Sequence, residues 1–497
     1  MVSNQSAASE RVRPNILFVL SDDQGPWALG CAGSDEIQTP VLDGLAARGT
    51  RLENFFCVSP VCSPARASLM TGQIPSRHGV HDYLTGVEVG ANAPDYLAGQ
   101  PLFTDVLAEG GYQLGLSGKW HLGANDASRR GFVHWYGLEG GGSPYRQATM
   151  YRDGSRETVT DYLTDVITAD ALAFLDGAAP GPDPFFLAVN YTAPHKPWKG
   201  QHPREFEALY DDCAFESCPQ EPAHPWQPTV DGIPIGGEAD VRAALVGYFA
   251  AVSAMDAGIG ALLERLETLG QTENTLVIFS SDNGFNCGHH GIWGKGNGTF
   301  PQNMYDSSVK VPAIFTWPGH IAAGSVRPEL LSAYDVAATI LELAGLDKSG
   351  FEDGPGQSFA GLIAHEAGPV RAEVSRTAPA RAVVVYDEYG PVRMIRTATW
   401  KYVHRYPHGP HELYHLGVDP QERSNLIHEA SAGDTLADLR AELARWFSKH
   451  ASAAFDGAAL PVAGAGQFQP LGADPLAAFT APNWDGTAGD KRPSSAK

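Results

Sequence analysis

The pentapeptide Cys62-Ser63-Pro64-Ala65-Arg66 places a potential nucleophile four residues before a cation. Composition alone gives a C-x-P-x-R match on the order of 0.03 times in a chain like this one. A lone cysteine is most simply a small buried hydrophobe, but this setting argues for more. Pro64 suits the first turn of a helix, and Ala65–Thr71 continues one. Cys62 then stands at a helix N-terminus, where unpaired N–H groups and the dipole favour an anion. Arg66 adds a planar fork that matches a tetrahedral oxyanion.

Two acidic pairs extend the pattern. Asp22-Asp23 and Asp282-Asn283 each follow a short apolar run. Either pair alone is accounted for as a cap on the next element; two pairs at equivalent strand ends point to a shared cation. Three carboxylates and one amide form an all-oxygen donor set, which favours calcium or magnesium over zinc. Basic groups complete the inventory: Lys119 and His121 in Gly-Lys-Trp-His, His195 in Ala-Pro-His-Lys-Pro, and Lys295 in Trp-Gly-Lys-Gly. Each alone reads as a surface charge or a hydrogen-bonded histidine. Together with Arg66 they supply the positive field that an anionic substrate needs in a chain of net charge −22. Histidine and a lysine of depressed pKa serve proton transfer near neutral pH. His289 and His290, in Gly-His-His-Gly, read equally as substrate contacts or as loop stabilisers. Residues around Tyr386–Arg396 and His404–His411 are candidates for the pocket rim.

The elements that must position these groups are legible too. Ile16–Leu20, Tyr112–Leu116, Phe185–Val189 and Leu276–Phe279 are apolar runs of the length of buried parallel strands, and each stops at one of the polar clusters. Helical patterns fall between them at Thr39–Arg48, Phe103–Gly110, Asp161–Leu175, Val241–Leu269 and Tyr334–Ala344. The alternation predicts an α/β fold, a doubly wound, mostly parallel sheet flanked by helices, with ligands at the carboxyl ends of the strands. After about Gly368 the pattern changes. Arg381–Asp387, Val392–Thr397 and Trp400–His404 read as a smaller C-terminal antiparallel sheet, followed by a helix over Leu436–His450. The expected division is a catalytic domain over 1–370, a subdomain over 371–450 and an extended tail over 451–497. Phe468, Phe479 and Trp484 are expected to pack that tail along the surface.

Bulk properties narrow the function classes. The 497 residues are 43% hydrophobic, 19% charged and 10% aromatic, a globular profile. The acidic balance argues against nucleic acid or an anionic membrane as partner. No run approaches the roughly 18 apolar residues of a membrane span. The first fifteen residues hold no signal-peptide core, so a cytoplasmic location is expected. Of the six cysteines, Cys213 and Cys218 would pair only in an oxidising compartment.

The stretch Ser59–Gly72 resembles the signature of the type I, formylglycine-dependent sulfatases of the alkaline phosphatase superfamily. The resemblance runs from about Pro14 to the final helix, through Lys119-Trp-His121, Asp282-Asn-Gly, Gly294-Lys295, Glu412-Leu-Tyr and Asp419-Pro-Gln-Glu422. It implies that a separate formylglycine-generating enzyme oxidises Cys62 to an aldehyde, whose hydrate attacks the sulfur of a sulfate ester. It implies one calcium (or magnesium) held by Asp22, Asp23, Asp282, Asn283 and the modified Cys62. The Lys119 position binds sulfate and contacts the hydrate, and His121 is the base acting on that hydrate. His195 and Lys295 hold sulfate and assist the leaving oxygen. A plain serine has no second hydroxyl to collapse and expel sulfate, which is the physical reason for the modification. The implied substrate is a sulfated saccharide or a small sulfate ester, with a slight preference for the saccharide. A phosphodiester or phosphonate monoester hydrolase on the same core is the first alternative. A catalytically silent binding paralogue is the second, and it predicts broken site positions, of which none is found. A homo-oligomer is compatible with all three readings.

Overall fold

The apolar run that ends at Asp22 is buried along its whole length because both faces of its strand are covered. Ile16, Phe18 and Leu20 join one hydrophobic cluster, and Leu17 and Val19 join another on the opposite face. This is the period-two alternation of a strand sandwiched between two helical layers. The computed structural model describes residues 13–85, 93–365, 381–472 and 475–480.

Ten strands form the main sheet: β1 (Asn15–Asp22), β2 (Thr50–Phe56), β3 (Gln113–Gly118), β4 (Phe132–Leu138), β5 (Ala148–Arg152), β6 (Ser155–Val159), β7 (Phe185–Pro194), β8 (Thr275–Ser281), β9 (Ala313–Thr316) and β10 (Ser325–Ser332). Their spatial order is β10-β2-β9-β8-β1-β7-β3-β4-β5-β6. The centre is parallel: β1 pairs with β8 and β7, and β3 with β7 and β4. Antiparallel pairs enter on either side, at β8–β9, β9–β2, β4–β5 and β5–β6. The four central strands therefore send their carboxyl ends, and the polar clusters that follow, to one edge of the sheet.

Helices α1 (Pro40–Arg48), α2 (Cys62–Thr71), α3 (Phe103–Glu109), α4 (Leu163–Ala178), α5 (Val241–Thr268) and α6 (Val336–Leu343) cover the two faces. α1, α4 and α5 contribute to one cluster, and α2, α3 and α6 to the other. α6 starts two residues later than the pattern predicts. A 3-10 turn over Ala333–Asp335 precedes it, and Asp335 accepts from the Ser332 amide at 2.8 Å. α5 departs from the expectation that nothing here has the apolar length of a membrane span. By length and composition it qualifies, yet 72% of its most apolar window is buried within the fold. It packs on α4 and α1 as a core helix.

The C-terminal sheet is antiparallel and has four strands, one more than expected: β11 (Val383–Asp387), β12 (Val392–Arg396), β13 (Trp400–Arg405) and β14 (Glu412–His415). Helix α7 (Gly433–His450) packs on it. The fourth strand is the Glu412-Leu-Tyr segment, too short to show an alternation of its own. Buried Lys401 fastens this sheet to the catalytic domain, with Nζ at 2.5 Å from Asp306 Oδ1 and from Glu422 Oε1. β11 also reaches the loop before Cys62. The Tyr386 amide donates to Val58 O at 3.1 Å, and Ser59 Oγ donates to Asp387 Oδ2 at 2.9 Å. The expected boundary at 370/371 and Trp484 lie outside the described residues. Phe468 is half-buried, and Phe479 is buried.

Candidate active site

α2 begins at Cys62, with Val61 extended in the cap position, and every residue from Cys62 to Leu69 is buried. A helix that enters the core at once must bury Arg66, and a buried guanidinium needs partners. Arg66 Nε meets Asp282 Oδ2 at 2.9 Å, and Nη1 donates to the Lys119 carbonyl at 3.1 Å. That carbonyl also accepts from Asn190 Nδ2 at 2.9 Å. Asn190, on β7, is a supporting residue that no motif announced.

The carboxyl ends of β1 and β8 bring the two acidic pairs together. Lys119 Nζ lies 2.6 Å from Asp22 Oδ2, and Lys295 Nζ lies 2.6 Å from Asp23 Oδ1. Lys295 also reaches Cys62 Sγ at 2.8 Å and Asn283 Oδ1 at 3.5 Å. Asn283 Nδ2 donates to Asp23 Oδ1 at 2.7 Å. Asp22, Asp23, Cys62 and Asp282 each offer an atom within 4.8 Å of the others, and all four are buried. Asp23 and His121 both hold left-handed backbone, at φ 65° and 59°. Such φ values in non-glycine residues mark a backbone constrained by its surroundings.

Opposite charges decide the protonation states. Burial works against the Asp22 carboxylate, but Lys119, then His195, Arg66 and Lys295, hold its pKa well below the usual range. Asp282 is pushed up to about 6 by burial and by the Asp22 charge. Cys62 is pushed up to about 12 by burial and by Asp22, so the unmodified thiol is a poor nucleophile at neutral pH. The lysines differ from the expectation of a depressed amine. Burial lowers both and is the largest single influence, but the acidic neighbours together outweigh it, led by Asp22 at Lys119 and by Asp23 at Lys295, and both pKa values rise. They stand as fixed ammonium charges.

An open cleft of about 450 Å³ reaches the cluster at Cys62 and Lys295, and its lining also includes His121 and His195. His121 Nε2 lies 3.1 Å from Leu84 O. His195 Nδ1 lies 2.7 Å from Lys196 O, and its Nε2 lies 3.7 Å from Asp23 Oδ2. Burial lowers the pKa of His195, partly offset by Asp22 and Asp23. Asn297, the last residue of the Trp-Gly-Lys-Gly-Asn run, lines the cleft as well, and sequence reasoning missed Tyr83, Thr85 and the loop Gly140–Gly142. Three consecutive glycines after β4 were the one available signal. A Cβ on Gly141 would stand 2.2 Å from His121 Cε1, and one on Gly142 would stand 3.0 Å from His195 Cε1.

His289 and His290 are not brought to this cleft. They line a second one, with Trp27, Glu221 and Arg423. His289 is hydrogen-bonded to Ser217 O at 2.9 Å, and the His290 ring stacks on Tyr305 at 3.8 Å. Burial pushes both pKa values down to about 4. The residues expected at the rim, around Tyr386–Arg396 and His404–His411, are not among those lining this cleft; Tyr386 is wholly buried, with its OH accepting from the Ser76 amide at 2.8 Å.

A buried nucleophile position among three carboxylates and three fixed cations, at the carboxyl edge of a doubly wound sheet, defines a hydrolase for anionic esters. Comparison with known proteins agrees. The family model described as sulfatase matches residues 14–346. A second, described as N-sulphoglucosamine sulphohydrolase, C-terminal, matches residues 288–449. The N-acetylglucosamine-6-O-sulfatase of Bacteroides thetaiotaomicron is 28% identical over 489 residues, covering 85% of this chain and 84% of its own. An ulvan-active sulfatase of Formosa agariphila is 30% identical over 430 residues, covering 84% and 78%. A solved structure in complex with its substrate, D-glucosamine-2-N,6-O-disulfate, shares the fold at a TM-score of 0.73 and 24% identity, covering 88% of this chain and 98% of that one. The chain belongs to the sulfatase family and is a sulfuric ester hydrolase.

Proposed function

We propose that the protein hydrolyses sulfate esters of a saccharide, with a formylglycine made from Cys62 as nucleophile and one divalent cation beside it. The observation that carries this reading is the convergence of Asp22, Asp23, Asp282 and Cys62 within 4.8 Å. The donor set fits a hard cation: three carboxylates, with the amide oxygen of Asn283 close by at the same Lys295 ammonium. Calcium or magnesium held there would supply positive charge that acidifies the attacking hydroxyl and stabilises the sulfate oxygens. The three carboxylates are already balanced by Arg66, Lys119 and Lys295. A dication therefore leaves the site with a local positive surplus, which attracts a sulfate ester into an otherwise acidic protein.

The remaining chemistry belongs to the chain's own side chains. Arg66 Nη2 is buried without a hydrogen-bond partner among the described residues, a donor suited to a sulfate oxygen. Lys119 and Lys295 hold their charges against the equatorial oxygens. A carbonyl only accepts, so His195 Nδ1 carries a proton toward Lys196 O; the ring acts as acid in its imidazolium form, which Asp22 and Asp23 favour against burial, giving the Nε2 proton to the leaving alcohol and returning to the neutral Nδ1–H form. By the same argument His121 keeps its proton on Nε2 toward Leu84 O. Nδ1 is then the nitrogen that takes a proton as sulfate departs. A formylglycine-generating enzyme is the partner that maturation requires.

A saccharide is supported by the openness of the cleft, where Tyr83, Thr85 and Asn297 offer polar groups to hydroxyls. The activities named for the two relatives above point the same way. The test is a panel of sulfated mono- and oligosaccharides, an aryl sulfate and an aryl phosphodiester. Sulfate release from a sulfated sugar with kcat/KM above that of the phosphodiester is expected. Faster turnover of the phosphodiester than of every sulfate would reverse the assignment.

A further inference from the structure

The cleft wall at Tyr83–Thr85 is held from behind by a segment that neither family match reaches, since these end at residues 346 and 449. Gln467 is the parallel bridge partner of Leu84 and is fully buried. Its amide donates to Tyr83 O at 2.8 Å, and its carbonyl accepts from the Thr85 amide at 3.3 Å. Its side chain is equally engaged. Oε1 accepts from the His81 amide at 2.9 Å, and Nε2 donates to Gly79 O at 2.9 Å. Gly466 sets the approach: φ is +103°, and a Cβ there would stand 2.4 Å from Thr85 Cγ2. Its amide donates to Asp82 Oδ2 at 3.1 Å.

Leu84, in turn, spends its own backbone on the chemistry. Its amide donates to Ser63 Oγ at 3.0 Å, beside Cys62, and its carbonyl takes the His121 Nε2 proton at 3.1 Å. Tail, wall and base are thus joined by consecutive hydrogen bonds. We propose that Gln467 is a positioning residue of the sulfatase reaction: its side chain, by holding Gly79 and His81, sets the register in which its backbone pairs with Tyr83 and Thr85, and so fixes the wall and, through the Leu84 carbonyl, the ring of His121. The inference rests on the reading of His121 as the group that takes a proton during sulfate release.

The test is a double-mutant cycle on the full-length, formylglycine-bearing enzyme: native, Gln467→Ala, His121→Ala and the double variant, each assayed for kcat and KM on an aryl sulfate. Thermal unfolding and metal content are recorded alongside. Gln467→Ala is expected to lower kcat about tenfold, equivalent to about 1.4 kcal/mol of barrier, with KM within about twofold. In the His121→Ala background the same substitution should cost less than about twofold, because residues that act through one another are not additive. An equal loss in both backgrounds, a change confined to KM, or an unchanged kcat overturns the proposal and leaves the sulfatase reading intact. A His121→Ala enzyme as fast as the native one overturns the reading of the base, and this proposal with it. Should Gln467→Ala not fold, Gln467→Glu carries the same cycle. It keeps the acceptor for His81 and loses the donor to Gly79, so the same non-additivity is expected at smaller amplitude.

Discussion

Gly141→Ala puts a methyl group where the His121 ring lies. The added carbon would stand 2.2 Å from Cε1, 2.3 Å from Nε2 and 2.8 Å from Nδ1. Carbon atoms rest at about 3.5 Å, so loop and ring must separate by roughly 1.3 Å. Gly141 is not among the left-handed glycines, so alanine fits its backbone, and the collision is the main effect. The ring is anchored by Leu84 O at 3.1 Å and by a left-handed backbone, so part of the movement falls on the loop and part on the ring. A catalytic group misplaced by about 1 Å costs on the order of 100-fold in rate, and overpacking costs about 1–3 kcal/mol of stability. Steady-state kinetics on a chromogenic aryl sulfate, with thermal unfolding as the companion measurement, should show kcat down by about two orders of magnitude in a folded protein. Gly142→Ala, with its Cβ 3.0 Å from His195 Cε1, should lose less. Gly177→Ala, with nothing within 4 Å on exposed α4 surface, is the control and should leave kcat unchanged. A folded Gly141→Ala enzyme with native kcat would refute the argument that the glycine loop sets the position of His121.

Active protein should carry an aldehyde at position 62 by peptide mass analysis, and Cys62→Ala should remove turnover while leaving the unfolding transition in place; an active sample with only unmodified Cys62 would sink the mechanism. One calcium or magnesium per chain is expected by elemental analysis. Asp282→Ala should lose both ion and activity, and it should destabilise the fold by about 3–5 kcal/mol because Arg66 is left buried without its 2.9 Å partner; stoichiometric zinc would contradict the donor argument. His121→Ala should release a burst of alcohol and accumulate sulfated enzyme in rapid-quench experiments, whereas a first turnover as slow as the steady state would remove His121 from that role. The Asp387 carboxyl, pushed up to about 8 by burial and by Asp82, binds more protons folded than unfolded, so its contribution to stability falls as pH rises from about 3.8 to about 8 and is level above that. Asp387→Asn keeps an acceptor for Ser59 and should gain thermal stability over the native protein across that window; parallel stability curves from pH 4 to 8 would show that the group does not titrate as described.

The fold was legible because its elements rest on local, repetitive signals. β1 and β7 are apolar on both faces, α4 and α5 carry helical periodicity, and each central strand ends abruptly in polar residues. The C-terminal sheet was legible only in part, since β14 has four residues and borrows its pairing from β13. Of the site, the types of chemistry came through: a nucleophile at a helix start, an oxygen donor set and surrounding cations.

What the amino-acid sequence determined by itself was which residues end the strands, and therefore which side chains reach one edge of the sheet. Strand ends are fixed by apolar patterning, a property of neighbouring residues. Tertiary structure alone decided how those groups meet. It paired Lys119 with Asp22 and Lys295 with Asp23, raising lysines that were expected to be depressed. It placed Asn190 on the Lys119 carbonyl, the Gly140–Gly142 loop against the two histidines and the Gln467 segment behind the Tyr83–Thr85 wall, and it carried His289 and His290 to another cleft. The physical reason is that loops and tails have no periodic pattern. Their course follows from backbone hydrogen bonds and close contacts with distant segments, as when Gln467 pairs with Leu84 across more than 380 residues of chain.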